Sequence, residues 1–200
     1  MPWWRSRVWG AEHSWVPPTF MKDPLKLETF YRRLTNRPNQ TKLLSVVPTQ
    51  LQRLIHNRAG LRWLRCFSLI WVGGATLSKE LAAAARAEKL RLAPCYGATE
   101  TASMVSALTP EEFLNGSNSC GKPLPNVELR IGLDGALQIK SPRLAIANWK
   151  ADGLESVCNE EGWWQSGDVA KLSRIGELSI IGRSDNAIQS GGETVFPEQL

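Results

Sequence analysis

Histidine is nearly missing from this sequence: its 200 residues hold only His13 and His56. The four cysteines, Cys66, Cys95, Cys120 and Cys158, form no C-x-x-C pair. This shortage of ligands argues against a structural zinc site, and cysteines so widely spaced do not make a secreted disulfide framework. A reducing cytosol suits such a chain, which is read as cytoplasmic. No apolar run reaches the length of a membrane span, and the opening MPWWRSRVWG lacks the basic-then-apolar layout of a signal peptide. Runs of five or more like charges are absent as well. The net charge of +5 is therefore scattered, which excludes a nucleic-acid arm and leaves phosphate-bearing small molecules as partners. Internal repeats and low-complexity segments are also lacking.

What is present is ordinary in bulk, 42% hydrophobic and 22% charged, as expected of a globular chain. Tryptophan is the exception. Four of nine fall in the first fifteen residues, at Trp3, Trp4, Trp9 and Trp15. Side chains of that size need a core to cover them, so the opening reads as a chain entered in mid-domain. The ending GGETVFPEQL stops where a new element should start, and the whole is expected to be a fragment.

Apolar spacing predicts a helix over residues 24–35, with Pro24 in its first turn. A short strand over 42–48 follows, then a helix that ends near Gly60. The run RCFSLIWVGG, 65–74, reads as a strand buried on both faces and ending in a glycine loop. Residues 78–90 form the clearest helix, alanine-rich and capped by Ser78. RLAPCYG returns as a strand, completing a βαβ unit and a parallel sheet. Beyond residue 115 the pattern becomes alternating, with one hairpin around Asp134-Gly135 and a second built on IGE. The expected fold class is therefore α/β: part of a parallel α/β layered subdomain over 1–115, then a mostly antiparallel, β-barrel-like subdomain over 116–182. A polar joint, 183–200, comes last.

Ligands of open α/β sheets gather at the carboxyl ends of parallel strands. Gly73-Gly74 and the loop YGATE, 96–100, both follow such strands and should lie near one another. Glycines there let a flat ring approach the backbone, Tyr96 can stack on that ring, and Thr99 and Glu100 offer hard oxygen ligands to Mg²⁺. Equally, Thr99 can open a helix whose N-terminus favours Glu100. Asp168, in GWWQSGD, can accept hydrogen bonds from both hydroxyls of a ribose, or can belong to a Gly-Asp turn at the start of a strand. Arg183 can hold a ribose or phosphate oxygen, or simply pair with Asp185.

Three other signals are weaker. GSNSCGK, 116–122, copies part of a P-loop, but Pro123 stands where Ser or Thr is required, and a strand rather than a helix should follow. His13 has no nucleophile assignable to it. Arg5 can bind a carboxylate through its guanidinium or lie beside buried tryptophans.

The order of the motifs says more than any one of them. VGGATL, YGATE, GALQIKSP, WWQSGD and GRSDNAIQSGGETVFPEQL resemble, in sequence and spacing over residues 66–200, the later core motifs of the adenylate-forming (acyl-CoA synthetase, AMP-binding) superfamily. MPWWRSRVWGAEHSW, SVVPTQL and CYGATETAS further resemble its o-succinylbenzoate–CoA ligases, which serve menaquinone and phylloquinone synthesis. The resemblance implies an AMP-forming acid–thiol ligase that uses ATP, Mg²⁺, coenzyme A and a small carboxylate. In it, Gly73, Gly74, Tyr96 and Gly97 would frame the adenine. Thr99 and Glu100 would be catalytic, serving the phosphates and the metal; Asp168 and Arg183 would hold the ribose. Arg5 would face the substrate carboxylate, and Asp185 would be the hinge of a small C-terminal domain. Two family features are not found in these residues: the Ser/Thr/Gly-rich phosphate loop and the C-terminal lysine that reaches the α-phosphate. Gln189 also stands where many relatives carry lysine. The 200 residues alone are thus expected to be poorly active or inactive, and the alternative is a non-catalytic nucleotide-binding module or a split-enzyme subunit working with a complementary chain.

Overall fold

A computed structural model describes residues 2–35, 40–190 and 193–197. The chain divides into two compact units, residues 1–94 with 109–117, and residues 95–108 with 118–200.

In the first unit, β1 (Leu43–Val46) pairs in parallel with β2 (Leu69–Val72). β2 pairs in parallel with residues 92–94 of β3 (Leu92–Ala98). These are the near-continuous apolar runs, and Ile70, Val72, Leu92 and Ala93 are buried, as a parallel sheet covered on both faces requires. Helix α5 (Lys79–Ala87) makes the crossover between β2 and β3. Ser78 caps it by accepting the Leu81 N–H at 3.2 Å, and Leu81, Ala82 and Ala85 form its buried face. The remaining core comes from α2 (Pro24–Thr35), α3 (Pro48–Ile55) and α4 (Arg58–Leu64), through Leu27, Leu51, Leu54, Trp63 and Leu64.

Two expectations need correction here. The helix predicted to run up to Gly60 is two helices, because the Asn57 side chain starts a new one: its Oδ1 accepts the N–H groups of Ala59 (2.9 Å) and Gly60 (3.3 Å). Gly60 lies inside α4, where a Cβ would come 2.5 Å from the Leu54 carbonyl oxygen, so it is a packing residue rather than a stop. Likewise, the opening tryptophans are not covered by a core. Residues 2–8 form the short helix α1, and Trp3, Trp4, Trp9 and Trp15 are 50–70% exposed. Between α5 and α6 (Pro110–Leu114), Arg86 donates to the carbonyls of Phe113 (2.7 Å) and Ser117 (2.6 Å) and lies over the Phe113 ring. It thereby ties α5 to the end of α6 and to the residues that follow it.

The second unit is antiparallel. Residues 95–98 of β3 pair with β4 (Ser103–Ala107), and β4 pairs with β5 (Lys122–Pro123). A curled sheet has the order β11-β10-β7-β6, from β6 (Glu128–Ile131), β7 (Ala136–Lys140), β10 (Trp164–Leu172) and β11 (Leu178–Arg183). Alternation puts Leu137, Ile139, Ala170 and Leu178 on one face, where they close over Val105 and Val127. The Asp134-Gly135 turn forms as expected, with Gly135 at φ +80° and Asp134 Oδ1 accepting the Ala136 N–H. Short hairpins are added by β8 (Ala147–Lys150) with β9 (Gly153–Ser156), and by β12 (Ile188–Ser190) with β13 (Glu193–Val195). The α/β class with a parallel part and a curled antiparallel part is thus the observed one. Lys122 enters a strand rather than a helix, which removes the geometry a P-loop depends on. Among the described residues no helix is long and apolar enough to cross a membrane.

Candidate functional site

The second unit gathers its chemistry around one carboxylate. Asp168 lies within β10, opposite Arg183 of β11, at an irregular register. It is a strand residue, so the Gly-Asp turn is not what forms, and the strand begins earlier, at Trp164. The Tyr96 hydroxyl donates to Asp168 Oδ2 at 2.5 Å. Arg183 Nη1 stands 3.9 Å from Oδ1 on the other side. Arg183 also makes the alternative pairing, giving two hydrogen bonds of 2.9 Å to the Asp185 carboxylate on the turn Ser184–Asn186. Gly167 makes room for this guanidinium: a Cβ there would sit 2.7 Å from Arg183 Nη2.

Ser166 supports the centre from beneath. Its buried hydroxyl donates to the Leu137 carbonyl at 3.1 Å and accepts the Asp168 N–H at 3.2 Å. Burial is the main reason the Tyr96 phenol is held well above its usual range; the bond to Asp168 adds to the rise, and Ser166 opposes it. The Cys120 thiol, packed in the same core, is pushed up to about 11 by burial, with Cys95 contributing, so it is no nucleophile at neutral pH.

After Tyr96 the chain makes a tight excursion. Thr99 is exposed and Glu100 half-buried, in a turn closed by Ala102 N–H to Thr99 O at 3.0 Å. The turn leads straight into β4, so Thr99 opens no helix. Ala102 (φ +55°) and Ser103 (φ +142°) both adopt left-handed backbone, each costing about 1–3 kcal/mol for a residue with a side chain. Gly97 takes the close approach that results, since a Cβ on it would lie 2.2 Å from Ser103 O. Thr101 is fully buried within this loop. Its Oγ1 accepts the Ala98 N–H at 2.9 Å and donates to Ser103 O at 2.6 Å. Thr99 and Glu100 thus offer a hydroxyl and a carboxylate side by side. No cluster of three or more His, Cys, Asp or Glu side chains suited to a metal exists among the described residues. A donor set of this kind suits Mg²⁺, which binds through one or two carboxylates together with substrate phosphates.

The structure therefore brings Tyr96, Asp168, Arg183 and Asp185 together, and places Gly97, Thr99 and Glu100 on the loop after Tyr96. Gly73, Gly74 and Arg5 belong to the first unit. Gly73 and Gly74 follow β2, and Gly74 adopts φ +82°. Arg5 lies with its guanidinium 4.8 Å from the centre of the Trp71 ring, the stacked arrangement rather than an open one.

Comparison with known proteins shows the family. The family model described as AMP-binding enzyme matches residues 12–142. The chain belongs to the AMP-binding enzyme family. The 2-succinylbenzoate–CoA ligase of Salmonella typhimurium is 37% identical to this AMP-binding chain over 156 residues, 78% of this chain and 32% of the relative. The Listeria monocytogenes serotype 4b protein of the same name is 31% identical over 199 residues, covering 98% and 40%. The chain thus spans two fifths or less of the length of these relatives. Among solved structures, wild-type E. coli MenE with a bound analogue of OSB-AMS is similar at TM-score 0.66 and 33% identity, covering 86% of this chain and 35% of that one. The Bacillus subtilis o-succinylbenzoate coenzyme A synthetase in complex with ATP and magnesium ion reaches TM-score 0.78, covering 97% and 41%; at 24% identity that likeness speaks for the fold alone.

Reading the AMP-binding sequence missed Thr101 and Ser166. Both are ordinary polar letters beside stronger motifs, and their partners are backbone atoms that only the folded loop brings near. The two tyrosines supply a direct test of the site's burial. Tyr31 and Tyr96 are the only ones in the sequence, and burial raises both phenols above 10.0. A native sample at pH 10 should show less phenolate absorbance at 295 nm than the urea-unfolded chain, which should be about half ionised. Because the unfolded chain releases these protons first, the two phenols leave stability unchanged below pH 10 and erode it above. Half ionisation of the native chain at pH 10 would show that both rings are solvated.

Proposed function

We propose that this chain is the nucleotide- and acid-binding part of an AMP-forming carboxylic acid–CoA ligase, with 2-succinylbenzoate as the acid. The observation that carries the reading is Asp168, a partly exposed strand carboxylate held between the Tyr96 hydroxyl and the Arg183 guanidinium. The named relatives support the choice of acid.

In this reading Asp168 accepts both ribose hydroxyls and Arg183 donates to a ribose oxygen. Tyr96 and Gly97 present a flat surface to adenine, and framing adenine is also the role assigned to Gly73 and Gly74. Arg5 faces the substrate carboxylate, to which a guanidinium donates two parallel bonds. Thr99 and Glu100 would hold Mg²⁺, which when bound would supply positive charge to neutralise the phosphate oxygens. Two steps follow. The acid's carboxylate oxygen attacks the α-phosphorus of ATP, and pyrophosphate leaves with the electrons of the broken P–O bond. The thiolate of coenzyme A then attacks the acyl carbon, the thioester forms, and AMP departs. Asp185 serves as the hinge residue, and the chain works in the cytoplasm.

The test is calorimetric titration of the purified chain with a non-hydrolysable 2-succinylbenzoyl-AMP mimic, against AMP alone. Tighter binding of the mimic than of AMP is expected. Equal binding would remove the assigned acid, and binding of neither would remove the nucleotide site.

A further inference from the structure

The function proposed above uses Thr99 and Glu100 but leaves unexplained what holds them where they are. Their turn is not held by a regular ladder, since it lies between the last pairs of β3 and β4 and runs through two consecutive left-handed residues, Ala102 and Ser103. Such a backbone persists only where its surroundings over-determine it.

One side chain does most of this. Thr101 sits between the two residues with chemistry and the two residues with strain, and it is entirely inside. Its hydroxyl takes the N–H of Ala98, before the turn, and gives its proton to the carbonyl of Ser103, after it; the Ala98 carbonyl also lies 3.0 Å away. A single oxygen thus ties the entry of the loop to its exit. The second tether is a backbone bond from the Ala145 N–H to Glu100 O at 2.7 Å, which fixes the Glu100 main chain but not the sense in which the loop coils. With the Thr101 hydroxyl removed, a part-buried donor and acceptor lose their partner at once, and only the Ala102 N–H to Thr99 O bond and the Ala98–Ser103 strand pair still join the entry of the turn to its exit.

We propose that Thr101 is the positioning residue that aims Thr99 and Glu100 at the phosphate-bound metal. The proposal rests on the nucleotide-binding reading. It assigns Thr101 no contact with nucleotide or ion: it acts through the turn, and so should govern the metal-dependent part of binding while leaving the adenosine part nearly intact.

The experiment titrates the purified chain with ATP across a range of Mg²⁺ concentrations, and with AMP in the absence of metal. Thr101→Val keeps the shape and removes the hydroxyl. It should raise the Mg²⁺ concentration for half-maximal ATP binding about tenfold, the equivalent of one buried hydrogen bond. Its AMP affinity should stay within about threefold of wild type, and Thr101→Ser should restore the metal dependence. Hydrogen exchange at the amides of 98–104 should quicken in the valine variant alone. Should the valine variant not fold, Ala102→Gly loosens the same turn without touching the hydroxyl, and should shift the Mg²⁺ midpoint in the same direction. An unmoved midpoint in these variants would overturn the proposal. So would equal weakening of AMP and ATP binding with a lowered melting temperature, or a serine variant that restores nothing. If the wild-type chain takes up no AMP, the nucleotide reading falls and this inference with it. If wild type shows metal-dependent ATP binding and the valine variant matches it, only the positioning role falls.

Discussion

Asp168→Ala is expected to weaken AMP binding by roughly 10²-fold. A hydrogen bond to a charged acceptor contributes about 1.5–3 kcal/mol, and each 1.4 kcal/mol is about a factor of ten in affinity. The carboxylate is already desolvated on one side by Tyr96 and faced by Arg183 on the other, so a ribose diol would find it pre-aimed rather than free to rotate. Truncation also leaves the half-buried Tyr96 hydroxyl without its acceptor, and the fold must be checked in parallel. Asp168→Asn serves that purpose, since it keeps an acceptor for Tyr96 while removing the charge. Calorimetry with AMP decides: a folded alanine variant that binds like wild type would mean that the ribose is held elsewhere.

Gly121→Ala should produce the largest loss of stability of any glycine-to-alanine change among the described residues of the second unit. An added Cβ would fall 2.0 Å from both the carbonyl carbon and oxygen of Ala107 and 2.3 Å from Leu108 N. These are backbone atoms at and just beyond the end of β4, which cannot step aside as a flexible side chain could. The residue also holds φ +77°, a conformation that costs an alanine about 1–2 kcal/mol by itself. The neighbouring bonds join Cys120 N–H to Leu178 O and Leu178 N–H to Gly121 O, so displacement would reach β11 as well. A loss above about 4 kcal/mol is expected, a large part of the total stability of a domain. Urea unfolding followed by far-UV circular dichroism measures it. Gly176→Ala is the control, with the same sign of φ (+81°) but open space around the Cβ; its cost should be the conformational one only. Equal losses in the two variants would refute the steric argument.

Local regularity made the scaffold readable. The alternation around Asp134-Gly135 and the apolar run at 69–72 each carry their structure within ten residues, as does the Ser78-capped alanine helix, and each formed. The failures share a cause. Asn57 restarts a helix through its own side chain, in a stretch whose apolar spacing does not change, so the break left no periodic trace. Gly60 looks like a stop because glycine often is one, whereas its reason is the Leu54 backbone pressed against it. At the candidate site the conspicuous letters, Tyr96, Asp168 and Arg183, were legible because a carboxylate, a phenol and a guanidinium each have a narrow chemical repertoire. Thr101 and Ser166 were not, because a hydroxyl that binds backbone is described by its partners and not by its neighbours in sequence.

The exposed tryptophans have an optical consequence. Trp3, Trp4, Trp9, Trp15 and Trp149 are each at least half exposed, while Trp63 is buried. Emission from the native chain is therefore weighted toward indoles already in contact with water, and should shift little when the chain unfolds. The second unit carries only Trp149, Trp163 and Trp164 of the nine, and Trp163 lies beneath the Arg130 guanidinium at 4.0 Å. A fluorescence melt would thus follow mainly the first unit and understate the loss of the β-sheet that carries Asp168 and Arg183.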